Sequence, residues 1–201
     1  MTIRAAAIVC AVRPHGETGA VVRVLTSEHG MIAGYVAGAR GRQLRPVLIP
    51  GNAVEVELRT RDTTRLPSAR VELVTSRGPW LSEPLPAAAI GWVTALIAST
   101  LPERHAYPSL YLALGALLDA ICHAPSARGW TEALIGFELL VLRELGYGGS
   151  TDRPDPADWP ATLAALDRIG ILLERYPLAE RRGDVMAARA MLRERLARIE
   201  A

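Results

Sequence analysis

The hydrophobic residues of this chain change their period once, near residue 76, and that change limits the fold more than any motif does. Before it the period is two. In "AVEVELRT" Val54, Val56 and Leu58 point one way while Glu55, Glu57 and Arg59 point the other, as in a strand with one buried and one wet face. "IRAAAIVCAV", "AVVRVLTS", "MIAGYVAGA" and "SARVELVTS" repeat the pattern, so five strands are predicted in about 75 residues, the second and third joined through Glu28, His29 and Gly30. Five short strands suggest a small barrel, for which the OB type is the commonest arrangement, and Gly34 and Gly38 would ease its strong bend.

After "SRGPWLSEPLP" the period becomes helical. "PAAAIGWVTALIASTL" opens with Pro86 in a first turn, and "SLYLALGALLDAI" sets Leu110, Leu114, Leu117 and Ile121 on one stripe. "TEALIGFELLVLRELG" continues with Leu134, Phe137, Val141 and Leu145, and Gly146 supplies its end cap. The segment "YGGSTDRPDPADWP" breaks any regular element; "ATLAALDRIGILLERY" and "DVMAARAMLRERLARI" then give two more helices, the last with Arg on its polar face. The expectation is an α+β protein of two domains: an OB-type five-stranded β-barrel over residues 1–78 and an all-α helical domain over 79–201, with the loop around 149–160 short.

Half of the 201 residues are hydrophobic, enough for a sizeable core. The net charge of +2 is unevenly spread: residues 1–80 carry 11 Arg against 6 acids, and residues 81–201 carry 12 against 15. The two parts are expected to meet different partners. All 23 basic residues are Arg, a bias read as the mark of a GC-rich genome. The opening "MTIRAAAIVCAVRP" is read as a strand rather than a leader, because its apolar run is short and is cut by Arg13 and Pro14. No apolar run is long enough to span a membrane, and two lone cysteines, Cys10 and Cys122, suggest a reducing cytoplasm.

The chemistry-bearing residues form no catalytic set. His15, His29, His105 and His123 are scattered, no C-x-x-C pair occurs, and "DRPDPAD", with Asp152, Asp155 and Asp158, lacks the glycine and terminal Glu of a calcium loop. Neither a phosphate-binding G-x-x-x-x-G-K-[ST] nor a G-x-S-x-G elbow is present. The chain reads as a binder and not an enzyme, with no cofactor and no metal.

Its charges say what it binds. "GARGRQLR" places Arg40, Arg42 and Arg45 in a glycine-hinged segment able to approach a phosphate backbone, and Arg59, Arg61, Arg65 and Arg70 come from the next hairpin. With Arg23 of the second strand they make a candidate nucleic-acid stripe. Aromatic platforms are sparse in this half, which offers only Tyr35 before the boundary and Trp80 at it, so backbone contact should outweigh base stacking.

"GETGAVVRVLTSEHGMIAGYVAGAR", "LIPGNAVEVEL", "LPERHAYPSLYLALGALLDAI", "FELLVLRELGYG", "ILLERY" and "RERLAR", in that order, resemble the RecO family of bacterial recombination mediators. The resemblance implies an N-terminal OB fold that binds single- and double-stranded DNA, anneals strands, and works in the cytoplasm at the nucleoid with RecR, RecA and the single-strand-binding protein. It also implies an apolar pocket beside a positive charge for that protein's acidic tail. Here such a groove is expected between the helices of "SLYLALGALLDAI" and "ALIGFELLVLREL", with Arg128, Arg143 or Arg175 at its rim. Two departures stand out: many relatives carry a zinc-binding cysteine cluster where this chain runs "GGSTDRPDPADWP", and a lysine where it has Ala37. A protein-interaction adaptor with weak DNA affinity and an RNA-binding OB protein are the alternative readings.

Overall fold

Strands form where the period-two runs stand: β1 (Thr2–His15), β2 (Gly19–Thr26), β3 (Gly30–Val36), β4 (Ala53–Arg59) and β5 (Ser68–Thr75). The structure is a computed structural model that describes residues 2–60, 66–148, 153–155, 157–180 and 184–199. β1 serves two partners, its first half pairing antiparallel with β4 and its second half with β2. The register shifts between Val9 and Ala11, a bulge that bends the strand from one neighbour to the other. β2 pairs with β3, β4 with β5, and β3 meets β5 in parallel at Tyr35 and Ser68, so the sheet closes in the order β1-β2-β3-β5-β4. This is the OB barrel the strand pattern predicted.

The inward residues of each strand fill it: Val9, Val22, Val24, Ile32, Val54, Val56, Leu58 and Val71 are all buried. Gly34 lies where the wall is tightest, since a Cβ there would stand 2.6 Å from Leu58 Cδ2 and 2.8 Å from Ala69 Cβ. Gly38 follows the end of β3 and turns the chain out of it at φ +65°.

A short 3-10 helix (Gly78–Ser82) precedes five α-helices: α1 (Pro84–Thr100), α2 (Pro108–His123), α3 (Arg128–Glu144), α4 (Trp159–Arg175) and α5 (Asp184–Ala197). The chain separates into two compact units, Met1–Ser82 with Leu101–Tyr111, and Glu83–Thr100 with Leu112–Ala201. In the first unit, residues 103–105 run along the start of β3: Arg104 N donates to Met31 O at 2.9 Å and Glu103 bridges Met31 in parallel.

In α2 the predicted stripe of Leu110, Leu114, Leu117 and Ile121 is buried, and in α3 Leu134, Phe137 and Val141 are buried in the same way. Leu145 is only half-buried, beyond the last helical turn. Gly146 adopts φ +83° and donates to Arg143 O, closing α3 as a left-handed cap. Asp158 caps α4 by accepting from Ala161 N at 2.9 Å, and Asp155 accepts from Ala157 N. Asp152 lies outside the described residues.

One expectation for the last helix fails. Arg189 of α5 is not on a wet face: it is 6% exposed and donates to both carboxylate oxygens of Glu138 in α3, at 3.0 and 2.8 Å. Trp92 Nε1 of α1 adds a bond to Glu138 at 2.7 Å, and Arg189 Nη2 reaches Leu166 O of α4 at 2.6 Å. Gly170 leaves the room that the guanidinium occupies. Glu138 is the reason: a carboxylate buried on the apolar side of α3 is stable only with a charge brought to it.

Candidate nucleic-acid interface

The connection from β3 to β4 explains why arginines follow a hairpin. After Gly38 the chain winds into hydrogen-bonded turns, Gly41 N to Gly38 O, Arg45 N to Gly41 O and Leu48 N to Leu44 O. That winding sends Ala39, Leu44 and Leu48 inward, where they pack against the barrel core and close one end of it. The alternate positions must point outward, and Arg40, Arg42 and Arg45 are all exposed. Among the described residues none of the three has a carboxylate partner.

The connection is pinned at both ends. Arg40 N donates to Thr18 O in the β1–β2 turn. Asn52, fully buried, donates from Nδ2 to Pro46 O and Val47 O at 2.9 and 3.0 Å and accepts from Arg77 N at 2.8 Å. The arginines thus stand on a braced turn, not a loose loop.

Strand register adds a second group. Arg13 pairs with Val21, Val21 with Tyr35, Tyr35 with Ser68 and Ser68 with Arg59, so these five residues form one row across the outer face of the barrel. Tyr35 lies over Gly19, where any Cβ would collide with the ring, and His15 meets it edge-on at 5.8 Å between centroids. Arg13 and His15 are not among the nucleic-acid-binding candidates that the sequence suggests. Only the pairing places them beside Tyr35, and the alternation along β1 was the signal available.

The remaining arginines of the expected stripe are placed differently. Arg23, two residues along β2 from the row, is 3.7 Å from Glu103. Arg59 bonds to Glu57, which also pairs with Arg4 at 2.8 Å. Arg70 stands opposite Glu57 on β5. The Arg59 hydrogen bond, reinforced by the Arg4 charge, holds the Glu57 carboxyl below the usual range. The stabilisation that results is present above the ordinary carboxylate pKa and lost as pH falls through the lowered value. Arg61 and Arg65 lie outside the described residues. Burial pushes the Cys10 thiol up to about 12, so it is a protonated packing group at neutral pH.

In the helical unit, a cavity of about 270 Å³ lies on α3 and α4, walled by Leu139, Leu140 and Leu172, with Arg143 and Arg153 at it. It does not lie between α2 and α3, where the groove was expected, because the predicted stripe of α2, Leu110, Leu114, Leu117 and Ile121, faces inward at 0–3% exposure. α3 instead carries a second, half-buried apolar side. Gly136 lets Arg153 approach, its missing Cβ lying 3.1 Å from Arg153 Nη2. Arg128 sits 5.2 Å over Trp159, and Arg175 sits 5.5 Å over Tyr176, which stacks on Tyr147. Of the three expected rim arginines, then, only Arg143 lines this cavity; Arg153 was missed because it lies in the irregular stretch.

An OB barrel with an arginine-bearing plug, joined to a helical unit, defines a class of candidate nucleic-acid-binding proteins. Residues 1–77 match the family of the recombination protein O N-terminal region, and residues 82–153 match that of its C-terminal region. The DNA repair protein RecO of Phenylobacterium zucineum is 41% identical over 144 residues, 71% of this chain and 58% of the relative. That of Rhodospirillum centenum is 40% identical over 71% of this chain and 56% of its own, and that of a Jannaschia species 37% over 74% and 59%. The chain belongs to the RecO family. It spans less than three fifths of the length of these relatives.

Proposed function

We propose that this chain is a DNA-binding protein of recombinational repair that holds strands by their phosphates, anneals them, and helps load recombinase onto DNA coated by single-strand-binding protein. The observation that carries the reading is the set of three exposed arginines, Arg40, Arg42 and Arg45, on a braced plug with no carboxylate partner among the described residues. Desolvated apolar side chains on the same turn hold them in place, so little chain entropy is lost when phosphates bind. The row of Arg13, Tyr35 and Arg59 extends this surface, with one aromatic ring for a base. Repair activity follows the names of the relatives, and work with RecR and RecA follows the family resemblance.

If about four to six phosphates are neutralised, log affinity for a labelled single strand should fall with log salt at a slope of roughly −3 to −4, about 100-fold between 50 and 200 mM. Replacing Arg40, Arg42 and Arg45 together by Ala should flatten the slope by about 2. An unchanged slope would move the site off the plug. The adaptor reading is favoured by the pairing of Arg23 with Glu103 and of Arg59 with Glu57, which reduces the free charge of the barrel. Failure to bind DNA at low salt would select it. Competition by RNA of matched sequence, equal in strength to DNA, would select the RNA reading.

The mediator step needs a grip on an acidic tail that ends in an apolar residue beside a free carboxylate. The cavity on α3 and α4 has the matching chemistry, leucine walls with Arg143 and Arg153 at hand. A labelled tail peptide should bind the full chain, lose about tenfold or more in affinity on Arg143→Ala, and lose binding without its terminal residue. Equal binding by the shortened peptide would leave annealing without the mediator role.

A further inference from the structure

The five strands carry a single Tyr, Trp or Phe, which is Tyr35, and the sheet gives it a particular seat. Tyr35 pairs with Val21 across β2 and β3, which makes Gly19 its diagonal neighbour, at a spacing that an aromatic ring can bridge. The ring takes that diagonal. A Cβ at Gly19 would stand 2.5 Å from Tyr35 Cε2 and 2.6 Å from Cζ, so the outer part of the ring fills the space that any other residue would need. Gly19 is buried beside its exposed β1 partner, His15, because the ring covers it.

The register places His15 past the tip of the ring, and the two ring planes stand at 77° to each other. The tyrosine is thus a floor laid along the sheet, and the imidazole is a wall at its end. Tyr35 keeps part of its surface in solvent, and His15 is exposed. Arg13, in the row of Tyr35, is exposed as well, and Arg40 N bonds to Thr18 O, one residue from Gly19, so the first arginine of the plug begins beside this floor. On this side the neighbours of the ring come from β1, β2, the turn between them and the plug, whose residues are all described. The one acid in those segments is Glu17, in the turn, so the surroundings are cationic.

We propose that Tyr35 is the residue that tells a single strand from a duplex, by stacking one unpaired base on the floor that Gly19 and His15 build. The proposal deepens the nucleic-acid reading and rests on it. The plug arginines meet phosphates, and single strands and duplexes carry these alike. A base inside a duplex has both faces covered by its neighbours, so an aromatic floor adds affinity for an unpaired base alone. A ring flanked by arginines suits a flat group whose own chain bears phosphates, which is what a nucleotide of a bound strand offers. Gly19 and His15 act as positioning residues. A side chain at position 19 lifts the ring from the sheet, and His15 limits how far the ring swings along it.

The test measures the full chain against a labelled single strand of mixed sequence, its blunt duplex, and a strand of equal length without bases. Tyr35→Leu should lower single-strand affinity about tenfold, while affinities for the duplex and the abasic strand stay within about twofold. Its salt slope should match the parent, since no phosphate contact is lost. Tyr35→Phe should restore the single-strand affinity. Gly19→Ala should reproduce the loss in the parent and add nothing to Tyr35→Leu, which a merely structural role would not do. If Gly19→Ala does not fold, the two Tyr35 variants decide the matter. Equal losses on strand and duplex, a loss on the abasic strand as large as on the normal one, or parental single-strand affinity in Tyr35→Leu would each overturn the proposal. The two readings fail separately. Replacing Arg40, Arg42 and Arg45 by Ala should flatten the slope for strand and duplex together and keep the preference between them. If it does so while Tyr35→Leu has no effect, phosphate binding stands and the stacking floor falls. If the parent binds neither strand nor duplex at low salt, both readings fall.

Discussion

Glu138→Ala should destabilise the protein by about 3–5 kcal/mol, measured as a fall in the urea midpoint at constant slope. The reason is not the strength of the ion pair but what its loss leaves behind. Arg189 has 8% of its side chain exposed, and Glu138 is its only acidic partner among the described residues. Without the carboxylate a guanidinium remains buried with a single carbonyl, Leu166 O, to receive it, and Trp92 Nε1 loses its acceptor as well. Changing both charged residues to apolar ones of similar volume should recover most of the loss, since a buried pair is close to neutral against good packing. A cost below about 1 kcal/mol for Glu138→Ala would mean that the helices rearrange to release Arg189 to water. The pair joins α3 to α5, and with Trp92 and Leu166 it also reaches α1 and α4, so it fixes which helices meet.

The second large effect is expected at Gly30, and Gly38 is its control. Both residues have φ near +65°, so alanine at either carries the same left-handed penalty, about 1–2 kcal/mol. Their surroundings differ. A Cβ at Gly38 meets nothing within 4 Å, whereas one at Gly30 would overlap the His105 carbonyl, which is backbone and cannot rotate away. Gly30→Ala should therefore cost about 2–5 kcal/mol in total, by adding overpacking to the same strain. Equal losses in the two variants, by thermal or urea unfolding, would show that residues 103–105 can lift from β3 at little cost.

Local pattern carried far here because strands and helices announce themselves through short-range periodicity. Val54, Val56 and Leu58 alternate with charges, and Leu110, Leu114, Leu117 and Ile121 recur at helical spacing, so the elements and the sides they bury are legible in the sequence. The position of the arginine turn was legible too, from "GARGRQLR". What that turn does was not. Its role as a plug depends on Ala39, Leu44 and Leu48 finding the open end of a barrel, and that end exists only once β3 and β5 have closed the sheet.

The charged residues show the limit most clearly. Arg40 and Arg59 are alike as sequence, yet one projects without a carboxylate partner and the other is held by Glu57. Arg13 and Tyr35 are 22 positions apart and share a row because two pairings, through Val21, put them there. Arg189 reads as one more surface arginine on a charged helix, and it is buried because Glu138, 51 residues earlier, is buried at the same depth. By itself the sequence determined the elements, their buried sides and the family, since these rest on neighbours a few residues apart. Only the tertiary structure decided which arginines face water and which face a carboxylate, because a charge settles according to what stands across from it, and that is set by chain closure over tens of residues.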